Sequence, residues 1–262
     1  MDKPDLEDII NYNSCPILDE KFIIHCFKVL NSEGVLTIKN FLSSKTISSL
    51  VEEAKNNQHK AYYSDSTHNI YLTPRDDSLP HDHIFNLQIK SSKGCITTDQ
   101  IPDNSALKAV YTSEVFKNFI AAVVGEEALY EYEDPLSSIN IHYAKHGQEL
   151  GWHFDNSSFA VTLLLQKPLD GGAFEYVKNV RNSESGEMGF DKANEVVAGN
   201  IAPSVLDIDP GTLVLFKGRD SMHRVTPTVG EKTRYLVVFA YNSKPGVSLS
   251  KSAQKTFYGR VA

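Results

Sequence analysis

Cysteine is scarce in this 262-residue sequence, which contains only Cys15, Cys26 and Cys95. The three residues show no CxxC spacing, and an odd count cannot be fully paired. A framework of disulfides is therefore excluded as the basis of the fold. A sparse set of free thiols is typical of a reducing compartment, so we expect a cytoplasmic protein.

Basic residues are outnumbered, since 26 Lys and Arg face 33 Asp and Glu and the formal net charge is −7. Binding to nucleic acid or to an anionic membrane surface requires clustered positive charge, so we expect neither partner. Long apolar runs are also missing: stretches such as Ala160–Leu165 are far too short to cross a bilayer. The sequence leaves the oligomeric state open.

The remaining composition is that of a globular protein, with 41% hydrophobic and 23% charged residues. The length suits one domain over residues 1–262. Residues 1–136 are expected to form a helical support with loops that cover a substrate. Apolar periodicity and capping residues predict helices over 22–31, 43–57 and 105–128, and a short strand over 34–38. The polar segment 60–104 is predicted to be a long loop over the core.

The second half of the chain is rich in short β-type runs separated by Gly- and Pro-containing turns. These runs cover residues 138–143, 159–166, 173–177, 205–208, 212–216, 223–226 and 233–241. Many short strands in succession predict a sandwich or barrel, and a jelly roll fits their number. We therefore expect a mainly β fold with flanking helices (α+β). Its core would span 137–245, with an insertion at 179–203 and a tail or lid at 246–262.

Residues 151–155, with the sequence GWHFD, contain the strongest candidate for a metal site. Residues two apart in a strand point to the same side, so His153 and Asp155 would project together. His223 lies in a later strand and is the natural third ligand. Two imidazoles and one carboxylate on one face of an octahedron leave three positions open, which is typical of non-haem Fe(II) oxygenases. An HxD pair alone is common and often structural, so the prediction depends on the combination.

Arg234 opens the apolar strand that follows His223, and a charged residue in that position needs a partner. A guanidinium forms a planar fork that matches a carboxylate. We interpret that partner as the distal carboxylate of 2-oxoglutarate, whose keto-acid end would chelate the iron and leave room for O2. A salt bridge at the end of a strand is the alternative interpretation of Arg234.

Weaker candidates surround this set. Tyr143 ends an early strand, and its hydroxyl is predicted to reach the co-substrate, although a buried tyrosine often bonds to the backbone instead. Glu175 could receive a substrate amine, and Asn156 directly follows a predicted ligand. Arg75 could hold a substrate carboxylate. Each of these three has an ordinary alternative as a solvated or ion-paired surface group.

With these residues in place, the sequence resembles the Fe(II)/2-oxoglutarate-dependent oxygenase superfamily, through His153, Asp155, His223 and Arg234. More narrowly, it is similar to the group of free-amino-acid radical halogenases and their hydroxylase relatives. The matching segments are DPLSS at 134–138, GWHFD at 151–155, GGAFEYV at 171–177 and FAYN at 239–242. The resemblance implies a double-stranded β-helix core of the cupin-like, jelly-roll type, with Fe(II) and 2-oxoglutarate as cofactor and co-substrate.

The resemblance also shapes the expected reaction. In the halogenating members a small residue replaces the carboxylate ligand, and chloride takes the free position. Asp155 fills that position here, so hydroxylation is favoured over halogenation. The lysine-acting members carry polar contacts on the strand that begins with the co-substrate arginine. Here Leu236, Val238 and Ala240 are apolar, which disfavours a lysine substrate.

The sequence thus predicts a small-molecule hydroxylase that acts on a free amino acid or a metabolite derived from one. Desaturation and cyclisation use the same chemistry and stay open as outcomes. A hydroxylase of protein side chains is the second possibility, and it would present a broad exposed groove. A cupin-like binding domain with a non-catalytic metal is the third, and Arg234 argues against it because such a domain needs no co-substrate clamp.

Overall fold

A computed structural model describes residues 4–262, so the first three residues of the predicted N-terminal segment lie outside the described part. The helices are α1 Leu6–Ile9, α2 Glu20–Glu33, α3 Ser44–Asn57, α4 Ala106–Tyr111, α5 Glu114–Val124, α6 Phe190–Val197 and α7 Lys251–Tyr258. Strands β1 to β7 are Val35–Ile38, Tyr62–His68, Ile89–Ile96, Ile139–Ala144, Leu150–His153, Ala160–Gln166 and Asp170–Gly171. Strands β8 to β13 are Phe174–Val177, Ser204–Leu206, Leu213–Phe216, Met222–Val225, Thr228–Val229 and Arg234–Phe239.

Eight antiparallel strands form the jelly-roll core that the sequence predicts. Four of them lie side by side in the order β10-β6-β13-β4, and four others in the order β5-β11-β8-β9. Strand β3 pairs with both β4 and β5 and so connects the two halves. Because the chain passes repeatedly from one half to the other, residues far apart in sequence meet inside the curled sheet.

The N-terminal helices cover the outer face of the first half. Along β4 the buried side chains Ile139, Ile141 and Tyr143 share one face of the strand. They belong to the largest apolar cluster, together with Leu50 of α3 and Phe119 of α5. Each large apolar side chain buried in this way contributes roughly 1.5–3 kcal/mol to the free energy of unfolding.

Local signals explain where the helices begin and end. Asp19 accepts a hydrogen bond from the backbone N of Phe22 and starts α2, which stops at Gly34 with a φ of 71°. Ser113 caps α5 in the same way, through the N of Phe116. That cap divides the single helix predicted over 105–128 into α4 and α5, because a side chain that bonds to the backbone starts a new helix.

Two predicted loops contain regular structure. The prediction of a loop over 60–104 is wrong for β2 and β3, which form an antiparallel hairpin that extends the sheet. The insertion 179–203 contains the helix α6. The tail contains α7, where the hydroxyl of buried Tyr258 donates to Oδ1 of Asn140 on β4 at 3.0 Å. None of the helices in residues 4–262 combines the length and the apolar character that a membrane span requires.

Candidate metal centre

His153, Asp155 and His223 meet where the second half of the sheet places β5 beside β11. His153 is directly opposite His223 in the antiparallel register, and Asp155 lies just after the end of β5. Asp155 Oδ1 is 3.8 Å from His153 Nε2 and 3.5 Å from His223 Nε2. One ligand atom from each residue lies within 4.8 Å of the others. The three atoms can therefore share one metal ion.

Backbone carbonyls fix the two imidazoles in the tautomer that a metal needs. His153 Nδ1 lies 2.7 Å from the carbonyl oxygen of Gly151, and His223 Nδ1 lies 3.1 Å from that of Ser221. A carbonyl can only accept, so each Nδ1 carries the proton and each Nε2 keeps a free lone pair. Phe216 and Phe174 lie against the His223 ring, with centroid separations of 4.8 and 5.5 Å, and shield it from water.

Asp155 supplies the observation that best fits a metal. Its Oδ2 is buried and has no hydrogen-bond partner among the described residues. A buried polar atom without a partner is costly, and the cost is removed when a cation binds. Gly218 packs against this carboxylate: a Cβ built at position 218 would lie 1.9 Å from Oδ2 and 3.0 Å from His223 Cε1. Position 218 therefore has no room for a side chain.

The protonation states also suit a cation. Burial, with the nearby His223 and His68, lowers the pKa of His153 to about 3, so its imidazole is neutral at neutral pH. Burial acts to raise the pKa of Asp155, but the electrostatic influence of His223, His153 and Lys93 outweighs it and the pKa is lowered. The site thus holds an anionic carboxylate beside a neutral imidazole, as metal ligation requires.

We expect a Gly218→Ala substitution to lower the affinity for a divalent cation by at least roughly 10-fold, because the new methyl group would displace the Asp155 carboxylate. Isothermal titration with Fe(II) under anaerobic conditions measures the effect. Lys217→Ala is the matched control, since Lys217 Nζ contacts Asn31 rather than the triad. Equal affinity in the wild type and Gly218→Ala would contradict the close packing.

Arg181 ties together the two loops that form this site. Its Nε donates to the carbonyl of Arg219 at 2.6 Å, and its Nη2 donates to the carbonyl of Asp155 at 3.4 Å. The guanidinium also lies 4.3 Å above the ring of Phe154. From sequence, Arg181 is a candidate to hold a substrate carboxylate, with nearby acids as the alternative partners; its bonds to two backbone carbonyls were not predicted.

Arg234 faces a cavity of about 230 Å³, whose lining also includes Leu164, Phe174 and Ile208. The residue is 5% exposed, and within residues 4–262 no carboxylate pairs with it. Burial lowers the pKa of the guanidinium to about 10, so it is still charged at neutral pH. Phe174 lines the cavity and stacks on His223, which connects this space to the triad. The cavity therefore offers one unpaired cation to an anionic ligand.

Two predicted site residues have other partners. The hydroxyl of Tyr143 donates to the carbonyl of Ala54 at 2.8 Å, within the apolar cluster outside the barrel. This corrects its assignment to the co-substrate. Glu175 accepts from Arg224 at 2.7 Å, and Arg224 lies 4.7 Å above the ring of Trp152, away from the triad. In the register of β8 and β11, Glu175 is opposite Arg224 and its neighbour Tyr176 is opposite His223, so Glu175 points to the other side of the sheet from His223.

The other two substrate candidates lie on the surface. Arg75 is 46% exposed along its side chain, and it pairs with Asp77 at 3.0 Å. Asn156 is exposed, and its backbone carbonyl accepts from Arg219 at 2.9 Å. The structure therefore brings His153, Asp155 and His223 together and places Arg234 at an adjoining cavity, but it gives Arg75 and Asn156 no contact with the triad.

The β2–β3 hairpin contributes residues that sequence reasoning missed. The Nδ1 of His68 lies 3.0 Å from the Asn69 carbonyl, which leaves its Nε2 to accept from the Ser91 hydroxyl at 2.6 Å. Ser91 Oγ in turn accepts from the backbone N of Gly151 at 3.0 Å. Since the Gly151 carbonyl orients His153, this chain of bonds fixes a predicted ligand. Residues 64–68 are all polar, so the sequence shows no alternating pattern that would have marked this strand.

The sequence model of the Halogenase D family matches residues 17–258, nearly the whole chain. The chain belongs to the Halogenase D family. No curated protein sequence matches it. The match to the Halogenase D family confirms the prediction, made from the triad and Arg234, that the chain belongs to the wider Fe(II)/2-oxoglutarate oxygenase superfamily.

Solved structures share the fold of this Halogenase D family member at low identity. One is a 2OG-Fe(II) oxygenase family oxidoreductase from Burkholderia pseudomallei, with 14% identity, a TM-score of 0.54, and coverage of 88% of this chain and 95% of that one. Another is the non-heme alpha-ketoglutarate-dependent epimerase SnoN of nogalamycin biosynthesis, with 10% identity, a TM-score of 0.60, and coverage of 88% and 93%. A third is a prolyl hydroxylase from Trichoplax adhaerens, with 16% identity, a TM-score of 0.52, and coverage of 84% and 89%. These likenesses establish the jelly-roll fold.

Proposed function

We propose that this chain is an Fe(II)- and 2-oxoglutarate-dependent dioxygenase that hydroxylates an unactivated C–H bond of a small molecule. The substrate class is a free amino acid or a metabolite derived from one. The observation that carries the proposal is the pairing of two features: a metal site with three protein ligands, and the unpaired guanidinium of Arg234 at an adjoining cavity. A metal-binding domain that uses no co-substrate would not need an unpaired, buried guanidinium such as that of Arg234.

Each residue has a stated task in this scheme. His153, Asp155 and His223 would hold Fe(II), which with 2-oxoglutarate and O2 supplies C–H oxidation and releases succinate and carbon dioxide. Arg234 would bind the distal carboxylate of 2-oxoglutarate in its planar fork and so orient the co-substrate. Phe174 and Phe216 exclude water from the His223 side of the metal, which protects the reacting groups from solvent.

Asp155 favours hydroxylation. A halogenase needs a coordination position for a halide, and the carboxylate of Asp155 fills that position. The close packing of Gly218 against Asp155 Oδ2 supports the same choice, because this part of the site is built around a carboxylate. Desaturation and cyclisation are the other outcomes that the same ligand set allows.

The burial of the triad favours a small molecule over a protein side chain. His153 and His223 are 6% and 4% exposed. A protein side-chain hydroxylase needs an open groove that leads a peptide to the metal, whereas here His68 of the β2–β3 hairpin lies against His153, with ring centroids 5.9 Å apart. On β13, Leu236 is partly buried in an apolar cluster with Leu164 and Phe216. The apolar wall argues against lysine as the substrate.

The experiment has two parts. Anaerobic titration of the metal-free protein with Fe(II) and 2-oxoglutarate is expected to produce a weak visible charge-transfer band. Mass spectrometry of the free amino acids after aerobic incubation is then expected to find one that gains a single oxygen, only when 2-oxoglutarate is present. Absence of both the band and substrate-stimulated succinate would contradict the proposal. Turnover of peptides without turnover of free metabolites would favour the protein side-chain hydroxylase.

A further inference from the structure

Lys93 lies on the inner wall of the barrel, on the same face as Arg234. Strand β3 pairs with β4 so that Gly94 is opposite Tyr143, and continuing this antiparallel register by one residue brings Lys93 beside Ala144. Ala144 is in turn opposite Arg234 on β13. Paired residues on adjacent strands point to the same side of a sheet. Lys93 and Arg234 therefore flank the small side chain of Ala144.

The Lys93 ammonium has no partner of its own. The side chain is partly buried, and among residues 4–262 no carboxylate lies within 4 Å of it and no acceptor bonds to its Nζ. By contrast, Lys90 on the same strand is exposed and pairs with Asp65 at 3.5 Å. A buried cation without a bonded partner costs folding free energy and is rare, so its presence indicates that an anionic ligand binds there.

Lys93 faces the same interior space as the metal ligands. Ser91, two residues before it on β3, lies on the same side of the strand and bonds to His68, whose ring centroid is 5.9 Å from that of His153. Burial and the charge of Lys93 together lower the pKa of His68 and His142, and the same charge acts on Asp155. An anion bound to Lys93 would therefore lie on the same inner side of the sheet as the metal ligands.

The charges of the metal, the co-substrate and the three charged side chains around them can be added up. Fe(II) contributes two positive charges, while Lys93 and Arg234 contribute one each. Asp155 removes one and 2-oxoglutarate removes two, so one positive charge is left over in a site shielded from water. The two carboxylates of 2-oxoglutarate are already assigned to the metal and to Arg234. The remaining positive charge is that of Lys93, so Lys93 can pair locally with one further anionic group.

We infer that Lys93 binds an anionic group of the substrate, a carboxylate in the case of an amino acid, and so positions the substrate beside the metal. This inference rests on the proposed function, since it concerns the same site. It narrows the substrate class to molecules with a carboxylate or an equivalent anion. Amines without such a group are excluded as good substrates.

The test compares Lys93→Met with Lys93→Arg, and Lys90→Met is the matched control on the same strand. The probes are the free amino acids and the amines formed from them by removal of the carboxyl group. Substrate-stimulated succinate formation gives the kcat and KM for each probe. The anaerobic Fe(II)–2-oxoglutarate absorption band gives the affinity for the co-substrate separately.

In the wild type we expect stimulation by one or more amino acids but not by the matching amines. Lys93→Met is expected to raise the KM for the amino acid by roughly 10- to 100-fold, as the loss of a charge-assisted hydrogen bond predicts. Its affinity for 2-oxoglutarate is expected to be unchanged. Lys93→Arg should recover most of the KM, and Lys90→Met should resemble the wild type.

Other results separate the two proposals. A wild-type protein with the absorption band that responds equally to amines, or to no amino acid, overturns the role of Lys93 but not the oxygenase chemistry. A loss of 2-oxoglutarate affinity in Lys93→Met, without a change in the KM of the amino acid, also overturns it. A wild-type protein with neither band nor succinate overturns the proposed function itself.

Discussion

An Arg234→Met variant is expected to bind Fe(II) normally and to bind 2-oxoglutarate roughly 30-fold to several thousand-fold more weakly. Arg234 is buried and unpaired, so it is available to the co-substrate, and loss of one partner of a buried charge pair costs roughly 2–5 kcal/mol. The anaerobic absorption band measures both affinities. The variant without ligands should melt at an equal or higher temperature, because the uncompensated buried charge has been removed.

A change of co-substrate provides the control for Arg234. 2-Oxovalerate keeps the chelating keto acid but lacks the distal carboxylate. The wild type should prefer 2-oxoglutarate strongly, whereas Arg234→Met should bind the two acids about equally. Arg234→Lys should fall between them, since it keeps the charge but not the planar fork. A full preference for 2-oxoglutarate in Arg234→Met would show that another residue binds the distal carboxylate.

Asp155→Ala is expected to abolish substrate hydroxylation. Removal of a direct ligand should weaken Fe(II) binding by more than the roughly 100-fold seen for residues that only support a ligand. The metal-free variant should be less stable than the metal-free wild type at neutral pH, because the lowered pKa of Asp155 means that its ionised form stabilises the folded state. Thermal melts with and without Fe(II) measure both effects, and the metal should raise the melting temperature of the wild type alone.

Asp65→Ala is the control for Asp155, since Asp65 is an exposed carboxylate that pairs with Lys90 at 3.5 Å. It should retain wild-type turnover. If the protein were a cupin-like binding domain instead, the Asp155→Ala variant would keep its affinity for the organic ligand. Retention of hydroxylation in Asp155→Ala would rule out the proposed ligand set.

The triad could be predicted from sequence because its evidence is local. Residues two apart in a strand share a side whatever the fold, so His153 and Asp155 had to project together. His223 required only that a later strand lie beside β5, which the jelly roll provides. The fold class followed from the number of short runs separated by turns. None of these steps required the position of a distant loop.

Tyr143 shows where such reasoning stops. Strand β4 has one face with Ile139, Ile141 and Tyr143, and the opposite face carries His142. The apolar face was the available signal, but in this fold it packs against helices outside the barrel rather than toward the metal. The alternating pattern identifies the two faces of strand β4. Which of them points into the barrel depends on the elements that pack against each face.

Lys93 was missed for a different reason. The segment around it is polar, and polar segments between helices are usually loops. Strand β3 forms because the sheet gives its backbone two partners, β2 and β4, and its polar side chains then line a polar site. Tertiary pairing outweighed local propensity, as is common for strands.

Arg181 has a consequence for protein engineering. It belongs to the segment between β8 and β9, outside the eight strands, yet it bonds to the Asp155 and Arg219 carbonyls. A chimera that transplanted only the strands onto another scaffold would lose this brace on the loop that bears the carboxylate ligand. Shortening the 179–203 segment to make a minimal enzyme would therefore weaken metal binding, although none of the three metal-ligand residues would have been changed.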